Sequence, residues 1–141
     1  MNTAITARQT LDLLLPEWQA LLQAWAADGS LVAAAQEALL LDGTPAALQE
    51  LVAQWAKGDF SALSSIVLLS SADMSGALGA YAISTATIYL NADWLAAASK
   101  EQVFAVLTEE LGHQLDGLLN KEDTLGDEGR DFASILLNRA C

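Results

Sequence analysis

The chain has 141 residues, just over half of them hydrophobic, and a formal charge of −12 with only six Lys and Arg. That length suits one domain, or one compact domain with an N-terminal helical extension, and the apolar content suffices for a core without staples. The charge argues against nucleic acid and anionic membranes as partners, because phosphate binding needs cationic side chains; it attracts cations such as calcium instead.

The N-terminus predicts no signal peptide. Met1 to Thr10 lacks a basic segment, and the apolar run from Leu11 to Leu15 meets Pro16 and Glu17 too soon. No stretch reaches the ~18 uncharged apolar residues that span a bilayer, so no membrane insertion is expected. From about Ala7 to Ala27, the residues Leu11, Leu14, Leu15, Trp18, Leu21, Leu22 and Trp25 recur every three or four positions, the buried stripe of a helix. Pro16 within it implies either a kink or a break into two helices. Asp28-Gly29-Ser30 ends this segment, with Ser30 as the cap of a second helix through Leu41. Thr44 then reads as the N-cap and Pro45 as the first residue of a third helix, which carries Leu48, Leu51, Val52 and Trp55 and stops near Lys57-Gly58. The four tryptophans in these patterns read as core.

The character changes after Phe60. Ser65 to Ser70 is a short strand-type run bounded by small polar residues. The glycine-rich Ser75 to Gly79 lacks the spacing and the lysine of a phosphate-binding loop. Tyr81 to Ser84 and Thr87 to Leu90 read as two strands joined by a tight turn at Thr85-Ala86. Asn91 or Asp93 caps a short helix with Trp94 and Leu95, and Ser99-Lys100-Glu101-Gln102 is a capping box opening a helix to about Leu119. Asn120 to Gly126 is a polar loop, and a final helix starts near Asp127. Cys141, the single cysteine, closes the chain, so no intrachain disulfide forms. This fits a cytosolic protein, a secreted one stapled by other means, or a longer protein cut at that point. The expected division is a helical region over 1–60 and a second region, with the strands and the last helices, over 61–141, forming one compact unit.

The helix from Ser99 carries Thr108-Glu109-Glu110-Leu111-Gly112-His113. The pattern H-E-x-x-H puts two metal-binding histidines one helical turn apart with a general-base Glu between them. Glu110 and His113 fit it; Glu109 stands where the first His would be. Val103, Phe104, Val106, Leu107, Leu111, Leu115 and Leu118 form the apolar side, whereas Glu109, His113 and Asp116 share another face. Glu110 lies about 100° round the axis from Glu109. Gly112, which costs ~1 kcal/mol mid-helix, leaves room for another segment to approach. Asp127 and Asp131 read as charges favouring a helix N-terminus. Tyr81 and Tyr89 can offer a phenol to an oxyanion, or serve as strand core or rim.

The helix resembles that of the lethal-factor-like branch of the gluzincin metallopeptidases, H-E-F/Y-G-H-x-x-D, in Glu110, Gly112, His113 and Asp116. Glu128, Phe132 and Ala133 match the second helix of that branch, N-E-x-x-F-F-A. The chain is more similar still to the peptidase-like domain near the N-termini of large calcium-binding repeat proteins of bacteria, especially cyanobacteria. Three blocks carry this likeness in order: Ile88-Tyr89-Leu90 with Trp94-Leu95, then Leu107 to Asp116, then Asp123 to Gly129 with Phe132-Ala133. It covers roughly residues 65–137, and the N-terminal helices lie outside it. That closer family also carries Glu at the first ligand position.

The resemblance implies an α+β domain of minimal zincin plan, a small sheet packed on the motif helix, with the N-terminal helices as a bundle. It implies Glu109, His113 and Glu128 as metal ligands, Glu110 as general base and Asp116 as an outer group steadying a ligand. The ion is expected to be zinc, with manganese or iron as alternatives because one His and two carboxylates are a harder ligand set. Such a set makes the metal a poorer Lewis acid, so peptide-bond hydrolysis is expected to be weak. The helper Tyr that lethal-factor-like enzymes carry before the Glu ligand is missing; Asn120-Lys121-Glu122 stands there. The expected substrate is a peptide or protein, and the expected location is the cell surface or exterior, within a larger protein exported without an N-terminal signal. Two readings compete: a non-catalytic head module of such a repeat protein, and a helical domain in which the motif is chance.

Overall fold

A computed structural model of the chain describes residues 3–38, 45–82 and 85–119. Within them the fold is mixed α+β, with five helices and a three-stranded sheet. The first helix, α1, runs without a break from Thr3 to Asp28 with Pro16 inside it. The break that Pro16 allowed does not occur. Leu11 on one side of the proline and Trp18, Leu22 and Trp25 on the other are all buried in one core. At ~1.5–3 kcal/mol for each large side chain buried, this outweighs the ~3 kcal/mol that an interior proline costs.

Gly29, at φ 87°, is the one residue between α1 and the next helix. The second helix, α2 (Ser30–Ala38), follows at once. Its first turn is capped by Asp28, not Ser30: the Asp28 carboxylate accepts from the Ser30 N–H at 2.8 Å. A negative charge suits this end of the helix dipole. The third helix, α3 (Ala46–Ala56), begins one residue later than expected, because Pro45 has an extended ψ of 151° and is itself the cap residue. Gly58, at φ 84°, ends it where the sequence indicates.

The strands β1 (Ser65–Leu69), β2 (Gly79–Ala82) and β3 (Thr87–Asn91) form a sheet in the order β1-β3-β2. β1 runs parallel to β3 and β2 antiparallel to it. The register places Ile66, Leu68, Ile88, Leu90, Gly79 and Tyr81 on one face. Ile88 and Leu90 are fully buried there, whereas Val67, pointing the other way, is exposed. β2 starts earlier than the sequence indicates, at Gly79 within the glycine-rich segment. Of the two cap candidates, Asn91 is the one that caps, and Asp93 serves elsewhere. Asn91 accepts from the Trp94 N–H at the start of the short α4 (Ala92–Leu95), and Asp93 accepts from the Ser71 N–H across the preceding loop.

The helix α5 (Lys100–Leu119) is opened by the expected capping box: Ser99 Oγ accepts from the Gln102 N–H and Gln102 Oε1 from the Ser99 N–H. Val103, Leu107, Leu111 and Leu115, four residues apart, are buried. One core cluster joins them to the tryptophans of α1 and α3, so both halves of the chain share an interior. Two polar ties aim α5. Trp18 Nε1 donates to Thr108 Oγ1 at 3.0 Å, both residues being fully buried. Gln114 spans the entry to β1, donating to the Ala62 carbonyl and accepting from the Ser64 N–H.

Candidate metal centre

The residues of the motif lie on the side of α5 that faces β2. Glu109 and His113 are half-buried, and Glu110 is only 6% exposed. Each offers one ligand atom, and these atoms all lie within 4.8 Å of one another. An ion held at ~2.0–2.2 Å from three ligands in tetrahedral geometry sets their atoms about 3.3–3.6 Å apart, so side-chain rotations of about an ångström close the set. Two carboxylates and one imidazole on adjacent turns can therefore hold a metal ion. The donor set of carboxylates with one nitrogen is open to zinc and to harder ions alike.

The electrostatics point the same way. Two carboxylate oxygens within 4.8 Å repel by roughly 3 kcal/mol at an effective dielectric of ~20. A cation between them turns that repulsion into attraction.

The site opens into a cleft of about 340 Å³. Helix α5 supplies Glu109, Glu110, His113 and Asp116 to its wall, and β2 supplies Gly79, Ala80 and Tyr81. Asp116, half-buried one turn beyond His113, thus belongs to the cleft. Tyr81 lines it, on the same sheet face as Gly79; Tyr89 points to the other face. Glu110, expected as the general base and not a ligand, has an oxygen within 4.8 Å of the ligand atoms of both Glu109 and His113. Glu128, with the helix expected around it, lies outside the described residues, as do Asp127, Asp131 and Cys141.

Gly79 is the residue that reading the chain for this site misses. On this face of α5 the backbone of β2 comes close at Gly79, where an added Cβ would lie 2.6 Å from Val106 Cγ1 and 3.1 Å from Glu110 Oε2. The available signal was a glycine directly before an alternating strand pattern, which marks a close backbone contact.

No protein-family model, curated protein or solved structure matches this chain. No helix among the described residues is long and apolar enough to cross a membrane.

Proposed function

We propose that the chain is a zincin-like metal-binding domain of the gluzincin type, with weak metallopeptidase activity. The observation that carries this reading is the convergence of Glu109, Glu110 and His113 in a cleft beside β2. In this reading the sheet and α5 form the minimal zincin unit, the N-terminal helices are its bundle, and Glu128 completes the ligand set. Glu109 and His113 hold the ion, zinc first and manganese or iron as alternatives. When bound, it supplies Lewis acidity and a water of lowered pKa.

The chain's own residues do the rest. Glu110, in the same cluster, would act as the general base, its carboxylate carrying a proton from the attacking water to the leaving amine. β2 lies at one edge of the sheet, and its backbone can hold an extended peptide by strand addition. Asp116 steadies His113 from the next turn. The substrate would be a peptide or protein segment, encountered outside the cell by a larger exported protein that carries this domain.

Metal analysis of protein purified without chelator is the direct test. About one divalent ion per chain is expected, and His113→Ala should release most of it. No binding of zinc, manganese or iron, or occupancy untouched by His113→Ala, rejects the reading. Glu109 at the first ligand position favours a second reading, a non-catalytic head module, because an extra carboxylate weakens the ion's polarising power. Incubation with unfolded protein, metal added, separates the two: cleavage lost in Glu110→Gln identifies the enzyme, and equal results in both proteins leave the head module.

A further inference from the structure

We propose that Gly79 is a positioning residue for Glu110: the bare backbone of β2 at this place is what allows the Glu110 carboxylate to sit in the metal cluster. The inference rests on the metal-centre reading and deepens it.

Gly79 does not serve backbone freedom, for it lies in a regular strand, paired with Leu90, and has no left-handed φ. What it supplies is space. A Cβ would meet Val106 Cγ1 at 2.6 Å, Glu110 Oε2 at 3.1 Å and Glu110 Cγ at 3.3 Å. Val106 and Glu110 are one helical turn apart, so β2 crosses directly over one ridge of α5. Neither neighbour can yield freely. Val106 is β-branched and held to one χ1 rotamer in a helix. Glu110 is touched at Cγ as well as at its oxygen, so relief moves the whole side chain and not only its tip. Its carboxylate is one of the three groups within 4.8 Å. The Glu110 contacts alone ask that side chain to give by a few tenths of an ångström; with Val106 also in the way, a side chain at position 79 lifts the strand from the cleft or presses the Glu110 carboxylate out of place.

The test is zinc and manganese titration of wild type, Gly79→Ala, Val106→Ala and the Gly79→Ala/Val106→Ala double variant, followed by calorimetry and, with cobalt, by the ligand-field spectrum. Gly79→Ala should weaken binding about tenfold or more and change the spectrum, the scale seen when a group supporting a metal site is lost. Val106→Ala should bind like wild type. The double variant should regain most of the affinity, because removing Val106 Cγ1 leaves a pocket for the new methyl. Gly79→Val in the Val106→Ala background should lose it again, and this comparison stands if Gly79→Ala alone fails to fold. Unchanged affinity and spectrum in folded Gly79→Ala, or equal affinity for Ala and Val at position 79 beside Ala at 106, overturns the positioning role while leaving the metal centre intact. A wild type that takes up no metal overturns the metal centre and this role with it.

Discussion

Thr108→Val isolates the contact that ties the N-terminal helix to the motif helix. The Thr108 hydroxyl accepts from Trp18 Nε1 at 3.0 Å and donates to the Phe104 carbonyl at 2.7 Å, with both side chains fully buried. Valine has nearly the same shape, so the substitution opens no cavity. It does leave the indole N–H buried without an acceptor, which costs ~1–3 kcal/mol. We expect a loss of about 2 kcal/mol, a large share of the ~5–15 kcal/mol that holds a domain together. In urea unfolding, with a slope of ~1–3 kcal/mol per molar, the midpoint should fall by roughly 1 M. Thr108→Ser keeps the hydroxyl and loses one methyl, so it should cost only about 0.8 kcal/mol. Combining Thr108→Val with Trp18→Phe removes the stranded donor, and the double variant should be more stable than the sum of the single losses by about 1 kcal/mol. A loss below about 0.5 kcal/mol for Thr108→Val, or strict additivity in the pair, would refute the assigned role of this hydrogen bond.

Other substitutions probe separate contacts. Asn91→Ala removes the cap on the Trp94 N–H and the bond to the Ala77 carbonyl at a site 2% exposed; a loss of ~2–3 kcal/mol in urea unfolding is expected, and less than 1 kcal/mol would reject it. Gln114→Leu strands the Ser64 N–H and the Ala62 carbonyl, so it should cost ~1–2 kcal/mol and speed amide exchange at Ser64 selectively. Asp59 has its carboxyl pKa lowered, first by the Ser61 backbone N–H and then by the Ser61 side chain. Its contribution is present above the unfolded carboxyl pKa of ~3.9 and lost as pH falls through the lower folded value. Wild type should therefore exceed Asp59→Ala in stability near neutrality, with the gap narrowing in acid; a gap that widens in acid would contradict the sign.

Much of this protein follows from local patterns. The stripe through Leu11, Trp18 and Trp25, the Ser99–Gln102 capping box and the strand runs at Ser65 and Thr87 appear where spacing and turn chemistry indicate. The neighbourhood of Glu109, Glu110 and His113 was equally legible, because residues one and four apart on a helix are held together by the helix itself. Contacts between distant segments were not. The unbroken passage of α1 through Pro16, the central place of β3 with β1 parallel beside it, and the Trp18–Thr108 bond across the core all depend on which surfaces pack together. So does the burial of Glu110 beside β2, where Gly79 leaves room for it. Periodicity states which face of an element turns inward; only the folded chain decides which other face it meets, since that match rests on the shape and volume of side chains far apart in sequence.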